Sequence, residues 1–252
     1  MGLDAIIFDV DGTLAATGEA HRAAFNQAFR ETGLNWRWPR MIYHRLETNP
    51  TPMEKFAAYE AQVKQPQPTD IRQAVLRRQS AHFRRFLESG AAPLRPGVAR
   101  LIRDARNSGV KLGIATLARR IDFEVLIINH LGLPALDWFA AFTTFEDLGP
   151  EADAETAYRV TLAALGCRAK SSFAIEDSTA GANAARRAGL RVIATPTHFV
   201  PGENFDAADL VLTDLGHPAA PFHVVRGNPG LHNYVSVASL NELLPDSALA
   251  AA

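Results

Sequence analysis

The chain has 252 residues, of which 47% are apolar and 21% are charged, a composition typical of a folded globular protein rather than a disordered one. Because 26 Lys and Arg residues balance 27 Asp and Glu residues, nucleic acid and anionic membranes are not expected as main partners. The single cysteine, Cys167, excludes an intrachain disulfide and a thiolate metal cluster. No apolar run approaches membrane-spanning length and the start lacks a basic secretory segment, so we expect a cytoplasmic protein.

The first third of the chain combines one strand with a long helical stretch. The apolar run at residues 5–8 stops at a turn signal and predicts a buried strand. Apolar residues at helical spacing predict a helix over residues 21–31. From there to about Gly90 the pattern stays helical between proline breaks. We therefore predict a helical insert that follows the first strand and forms a lid rather than an independent second core.

From Pro93 onward, predicted helices alternate with predicted strands. The strands are expected at residues 111–115, within 138–142, and at 172–175, 191–194 and 210–212, and the helices at 97–107, 124–131, 154–165, 180–188 and 238–244. Residues 216–234 predict a surface loop or hairpin. Alternation of this kind predicts an α/β fold with a parallel sheet. The expected division is a core of residues 1–16 and 91–252 and an insert of residues 17–90.

Polar residues follow three of the predicted strands. Asp9 and Asp11 come after the first strand, Thr116 after the second, and Glu176 and Asp177 after another. In open parallel sheets, ligands bind at the carboxyl ends of the strands. Carboxylates that converge there repel each other unless a cation lies between them, and oxygen ligands suit Mg²⁺. This pattern predicts a magnesium site.

A more ordinary interpretation exists for each of these residues taken alone. A lone Asp or Thr after a strand is most often a helix cap or a turn residue. The segment at residues 9–13 is more specific, because Gly12 permits a turn that brings backbone amides near the carboxylates. The recurrence of an acidic pair at a second strand end favours a functional site over caps.

The motifs resemble those of a known family. Residues 9–13, Thr116, and residues 176–178 with Gly181 are similar to motifs I, II and IV of the haloacid dehalogenase-like (HAD) phosphohydrolases. The helical insert resembles the C1 cap of the phosphoglycolate phosphatase and beta-phosphoglucomutase branch. Residues 9–15, 19–22 and 24–26 are similar to the CbbY-type sugar-phosphate phosphatases. The resemblance covers about residues 3–215 and implies a Rossmann-like three-layer core with an inserted helical cap.

The resemblance also implies a mechanism and a set of site residues. Asp9 would attack phosphorus to form an aspartyl-phosphate, and Asp11 would act as general acid and base. The substrate would be a small phosphorylated metabolite, and the protein a monomer or homodimer. The implied ligands are Thr116, Leu117 and Arg119 for the phosphate, Asp9, Asp11, Glu176 and Asp177 for Mg²⁺, and His21 and Arg120 for the substrate on the cap side.

One basic residue of the family pattern is missing. The family's motif III supplies a lysine, but the matching stretch at residues 149–154 reads Gly-Pro-Glu-Ala-Asp-Ala. Lys111 and Lys170 precede strands, so they lie about 20 Å from the site at about 3.3 Å per residue. Lys55 and Lys64 fall in the predicted cap. Arg119 and Arg120 are candidates to replace the charge, unless both are solvated residues at a helix start.

The predicted cap departs from the family as well, and alternatives remain open. Residues 48–53 lack the Gly-Gly segment that relatives use to read the substrate, and Gly18 stands where CbbY-type proteins often carry an acid. His21, as an isolated helical histidine, also fits a purely structural role. The sequence favours a Mg²⁺-dependent phosphatase. A catalytically impaired binding or regulatory protein and a phosphomutase are the alternatives.

Overall fold

The computed structural model describes residues 2–49, 51–149, 153–197 and 204–244. Its centre is a seven-stranded sheet with the order β3-β2-β1-β4-β5-β6-β7. The first six strands run parallel, and β7 pairs antiparallel with β6. The strands are β1 (Ala5–Phe8), β2 (Lys111–Ala115), β3 (Phe139–Thr143), β4 (Ser172–Glu176), β5 (Arg191–Ala194), β6 (Leu210–Leu212) and β7 (Val224–Arg226).

The helices of the described residues either cover the two faces of the sheet or form the insert. They are α1 (Gly18–Glu31), α2 (Arg40–Leu46), α3 (Pro52–Val63), α4 (Thr69–Glu88), α5 (Val98–Asn107), α6 (Arg120–Leu131), α7 (Phe145–Leu148), α8 (Ala154–Leu165), α9 (Thr179–Arg187) and α10 (Val237–Glu242). The α8 and α9 helices pack on one face, and α5, α6 and α10 belong to the apolar cluster on the other. This arrangement confirms the predicted Rossmann-like three-layer fold.

The register of the central strands determines where the polar residues meet. Every residue of β1 is buried and apolar, as expected for a parallel strand that is covered on both faces. Phe8 lies opposite Ile114 of β2 and Ile175 of β4. The residues that follow these three positions therefore leave the sheet at one level. In the sheet, β2 and β3 lie on one side of β1, and β4 to β6 lie on the other, so the strand order reverses at β1. Ligands of such sheets usually bind in the crevice at the carboxyl ends of the strands at this point.

Helices α1–α4 form the helical insert, which has its own aromatic cluster. Phe25, Phe29, Trp38 and Phe56 are fully buried there. The Trp38 ring centroid lies 4.4 Å from that of Phe25 and 5.0 Å from that of Phe29, which is within the range of favourable aromatic pairing. Phe83 of α4 instead joins the cluster on the sheet. The division into a core and a cap at residues 17–90 remains a prediction.

The structure differs from the sequence-based expectation at several places. Helix α1 begins at Gly18 rather than at residue 21, and the short helix α7 was not predicted. Helix α6 begins at Arg120 rather than near residue 124. The strand at residues 210–212 is not the last one, because Val224–Arg226 forms the antiparallel edge strand β7 inside the stretch predicted as a loop or hairpin. Its residues are all exposed, so no apolar periodicity marked them. Among the described residues, no helix combines the length and apolar character that a membrane crossing needs.

Candidate active site

Three carboxylates meet at the carboxyl edge of the sheet. One oxygen from each of Asp9, Glu176 and Asp177 lies within 4.8 Å of the other two. Asp9 follows β1 directly, and Glu176 is the last residue of the neighbouring strand β4. Three of the four acids expected at one position therefore lie together, whereas Asp11 is not part of this group.

The two oxygens of Asp9 are held by hydroxyl groups. Thr116 Oγ1, beyond the end of β2, donates to Asp9 Oδ1 at 2.9 Å. Thr13 Oγ1 donates to Asp9 Oδ2 at 3.2 Å. Thr116 is buried, and its Oγ1 also accepts from the amide of Ala118 at 3.2 Å. The Asp9 carboxylate is thus fixed in orientation while it remains only half-buried.

Two glycines allow the carboxylates to approach the backbone. Gly12 has a φ of +81°, and a Cβ placed on it would lie 1.9 Å from Asp177 Oδ2. A Cβ on Gly181 would lie 2.2 Å from the carboxylate carbon of Glu176. Any side chain at either position would displace an acid of the cluster. Both glycines belong to the motifs identified in the sequence, and these contacts supply the physical reason for them.

Burial and mutual repulsion disfavour the ionised forms of this cluster. Burial, followed by the charge of Asp11, raises the pKa of Asp9 to about 7. Burial and then Asp9 raise the pKa of Asp177 and of Glu176 well above the ordinary range. The Tyr158 hydroxyl donates to Glu176 Oε1 at 2.7 Å and partly opposes this effect on Glu176. An all-oxygen cluster with excess negative charge fits a hard divalent cation such as Mg²⁺.

Asp11 has a different environment, provided by the helical insert. His21 Nε2 of α1 lies 3.2 Å from Asp11 Oδ2, and Gln79 Nε2 of α4 lies 3.2 Å from His21 Nδ1. Because the Gln79 amide donates to Nδ1, the ring proton of the neutral imidazole is on Nε2 and points at Asp11. The His21 ring stacks on Phe83, with 3.6 Å between centroids. Burial would raise the pKa of Asp11, but His21, with Thr17 and Lys55, lowers it below its usual value.

The remaining predicted residues lie around Thr116. Leu117 is half-buried beside it. Arg119, the N-cap of α6, has its Nε 3.5 Å from Glu146 Oε1, and Arg120 Nε donates to Glu124 Oε1 at 2.9 Å. Both arginines lie at the start of α6, and each contacts an acidic side chain. Their contact with a phosphate stays a prediction, as does the substrate-facing role of His21.

A lysine from the insert approaches the carboxylates, which the sequence reasoning missed. Lys55 lies in the first turn of α3, half-buried, and its Nζ donates to the Asn49 carbonyl. The charges of Asp11 and Asp177 both act on it and favour its protonated form, opposing the burial that lowers its pKa. Lys111, by contrast, binds the Leu165 carbonyl at 2.6 Å, away from the site. Within the motif III stretch at residues 149–154, residues 150–152 lie outside the described residues.

An acidic side chain lies beside Gly18. A Cβ on Gly18 would lie 2.8 Å from Glu47 Oε1, so the carboxylate of Glu47 occupies the space next to this glycine. Glu47 Oε2 lies 2.9 Å from His44 Nδ1.

Comparison with known proteins agrees with this geometry. The family model of haloacid dehalogenase-like hydrolases matches residues 3–189. The chain belongs to this family. The predicted enzyme class, a HAD-type phosphoric monoester hydrolase, is confirmed.

Several CbbY proteins are similar to this chain. The chain is 39% identical over 252 aligned positions to the plasmid-encoded protein CbbY of Cupriavidus necator, covering 94% of this chain and 95% of the relative. It is similar to the crystal structure of CbbY from Rhodobacter sphaeroides in complex with phosphate, with a TM-score of 0.76, 35% identity and coverage of 84% and 94%. A point mutant of that CbbY in complex with xylulose-(1,5)bisphosphate gives a TM-score of 0.77, 34% identity and coverage of 86% and 98%. The predicted CbbY-like branch of the HAD hydrolases is therefore confirmed.

The pKa of Asp9 leads to a prediction for the metal-free protein. Folded Asp9 holds its proton up to about pH 7, whereas the free side chain loses it near 3.8. Folding therefore loses stability as the pH rises through this window. In EDTA at about pH 8, Asp9→Asn should melt at least about 3 °C above wild type, which corresponds to about 1 kcal/mol. The difference should vanish near pH 4.

Thermal melts between pH 4 and 8 test this, with Asp137→Asn as the control because Asp137 is exposed and outside the site. Saturating Mg²⁺ should raise the melting temperature of wild type more than that of Asp9→Asn. Parallel pH profiles for wild type and Asp9→Asn would contradict the raised pKa of Asp9.

Proposed function

We propose that this HAD-family protein is a Mg²⁺-dependent phosphatase that hydrolyses a small sugar phosphate through an aspartyl-phosphate intermediate. The observation that carries the proposal is the pairing of two differently tuned aspartates. Asp9 belongs to the repelling cluster with Glu176 and Asp177, whereas Asp11, two residues away, is hydrogen-bonded by His21. Carboxylates with separate environments can serve separate roles in one reaction.

The metal would be held by the Asp9 carboxylate, the Asp11 backbone carbonyl and Asp177, with Glu176 beside them. Bound there, Mg²⁺ supplies positive charge that neutralises the cluster and the non-bridging phosphate oxygens. Glu176 accepts from Tyr158 and contacts Ser178 Oγ at 3.4 Å. It therefore also orients the turn that carries Asp177.

In the first step, an Asp9 oxygen attacks the phosphorus of the ester. The new bond joins Asp9 to phosphorus, the bond from phosphorus to the sugar oxygen breaks, and Asp11 donates a proton to that oxygen. The Thr116 hydroxyl, which contacts Asp9 Oδ1, lies where it can also reach a phosphoryl oxygen. Phosphoryl transfer needs little more than in-line positioning and charge neutralisation, and this arrangement supplies both.

In the second step, water attacks the same phosphorus. Asp11 accepts a proton from the water, the bond to Asp9 breaks, and inorganic phosphate leaves with Asp9 restored as a carboxylate. The lowered pKa of Asp11 means that its ionised form, which can accept this proton, is the favoured one before the proton transfer. His21 holds Asp11 through both steps, and Gln79 keeps the imidazole in the tautomer that donates to Asp11.

The substrate class follows from the similarity to CbbY. Because a CbbY structure at 34% identity contains xylulose-(1,5)bisphosphate, we propose a sugar bisphosphate for this chain too. Residues 17–90 would form the cap that closes over it and excludes bulk water. Leu117, Arg119, Arg120 and His21 would contact the substrate from the core and the cap. The proposal envisages a cytoplasmic monomer or homodimer whose partner is a metabolite, not a membrane or nucleic acid.

Hydrolysis of para-nitrophenyl phosphate and of a sugar bisphosphate panel, with and without Mg²⁺, tests the proposal. Phosphate release should require the metal, and xylulose-(1,5)bisphosphate should be preferred within the panel. Asp9→Asn removes the nucleophile and should lower kcat by about a thousandfold or more, whereas Asp137→Asn should keep the wild-type rate. Full activity in Asp9→Asn would refute the aspartyl-phosphate. Mg²⁺ binding without turnover would favour the alternative of a binding or regulatory protein.

Lys55 would supply positive charge in place of the absent motif III lysine. Its ammonium is acted on by carboxylates of both the insert and the sheet edge, namely Glu47, Glu54, Asp11 and Asp177. A cation at this place favours phosphate binding beside otherwise repelling acids. The insert would therefore contribute a charge that relatives supply from the core.

Substitution of Lys55 tests this assignment. Lys55→Met should lower kcat/KM by about tenfold to a hundredfold, the cost of one charged contact to a transferring phosphate. Lys64→Met is the matched control, because Lys64 is exposed at the other end of α3. In the Lys55→Met background, Ala152→Lys should restore part of the lost activity. Equal activity in the two lysine variants would remove Lys55 from the mechanism.

A further inference from the structure

Arg95 binds main-chain oxygens at the ends of three strands. Its Nη1 donates to the Gly12 carbonyl at 2.7 Å, to Thr195 Oγ1 at 3.0 Å and to the Thr195 carbonyl. Its Nη2 donates to the Thr213 carbonyl at 2.9 Å. Gly12 belongs to the turn after β1, Thr195 follows β5 and Thr213 follows β6. One guanidinium therefore ties together three loops at the carboxyl edge of the sheet.

Two of the three loops bound by Arg95 lie beside the proposed metal ligands. Gly12 follows Asp11 and packs against the Asp177 carboxylate, as the 1.9 Å approach of a Cβ shows. The Thr195 amide donates to the Glu176 carbonyl at 2.6 Å. A shift of the Gly12 turn or of Thr195 would therefore move the surroundings of Asp177 and the backbone of Glu176.

The backbone of Arg95 lies where the insert joins the sheet. Its amide donates to the Leu14 carbonyl at 2.9 Å, and the Ala16 amide donates to the Pro93 carbonyl at 3.0 Å. These bonds pair the two chain connections that enter and leave the helical insert. The side chain of Arg95 thus fixes the metal-side turn to the base of both connections.

We propose that Arg95 is a positioning residue for the metal site, which holds the Gly12 turn and the β5 loop so that Asp177, Glu176 and the Asp11 carbonyl converge on one cation. This inference rests on the proposed function, because it assumes a divalent ion at the carboxylates.

Arg100 offers a control with the same chemistry at a different place. It is also half-buried, and its Nη2 donates to the carbonyls of Leu215, Gly216 and Val235 at 3.2, 3.1 and 2.6 Å. Its guanidinium lies 4.7 Å from the Tyr234 ring centroid. These partners lie in the stretch after β6, so Arg100 anchors backbone without contacting the Gly12 turn or the loop after β5.

The test compares Mg²⁺ binding to the full chain by isothermal titration calorimetry. Arg95→Lys and Arg95→Gln should weaken Mg²⁺ binding by about tenfold to a hundredfold, as expected for a residue that supports metal ligands indirectly. Arg100→Lys and Arg100→Gln should bind Mg²⁺ as wild type does, even where they lower the melting temperature. Thr195→Val, which keeps Arg95 and removes one of its acceptors, provides a milder variant and should weaken binding less.

The Mg²⁺ dependence of hydrolysis gives a second readout. Arg95→Lys should raise the Mg²⁺ concentration needed for half-maximal rate, and excess Mg²⁺ should restore most of kcat. Wild-type Mg²⁺ affinity in folded Arg95→Lys and Thr195→Val, or equal losses in the Arg100 variants, would overturn the inference and leave the proposed function standing. Absence of Mg²⁺ binding by wild type would overturn both. Mg²⁺ binding as expected with an active Asp9→Asn would overturn only the proposed reaction.

Discussion

Repulsion among carboxylates at the carboxyl edge of the sheet is the constraint around which the site is built. Parallel pairing of β1 with β4 brings Asp9 beside Glu176, and the next residue adds Asp177. The strand register fixes their backbones side by side, which keeps the three carboxylates close to one another. The protein instead surrounds them with hydroxyl donors from Thr13, Thr116 and Tyr158. Hydrogen bonds to the charged form offset part of the repulsion and leave the rest for a cation.

Positive charge near this cluster comes from two directions. Arg95 donates hydrogen bonds to Gly12, Thr195 and Thr213, and these bonds to three loops hold its guanidinium in place. Lys55 comes from α3 of the insert. Arg95 is held at the sheet edge by hydrogen bonds. Lys55 belongs to the insert, so its distance from the carboxylates depends on how the insert packs against the sheet. A lysine of the family pattern is absent from residues 149–154, and Arg95 and Lys55 both interact electrostatically with Asp177.

Most of the fold and the centre of the site could be predicted from local sequence patterns. Buried parallel strands read as continuous apolar runs, and the acids directly after them mark the ligand edge, so Asp9, Thr116 and Asp177 were identified. Lys55 could not be found in this way, because its approach depends on how the insert folds over the sheet. Arg95 carries no motif, and its role comes from three carbonyls far apart in the chain. Strand β7 was missed because exposed residues on an edge strand show no alternation.

The hydrogen bond between Gln79 and His21 has a consequence for how this enzyme can diversify. The pKa of Asp9 is raised by burial and by the charge of the neighbouring Asp11. The pKa of Asp11 is lowered by His21, whose tautomer is selected by Gln79 of α4. Under the proposed mechanism, substitutions along α4 would therefore change the pKa of Asp11 without altering the side chains of the proposed metal ligands. If the proposed mechanism holds, the pH dependence of activity can change while the metal ligands stay the same.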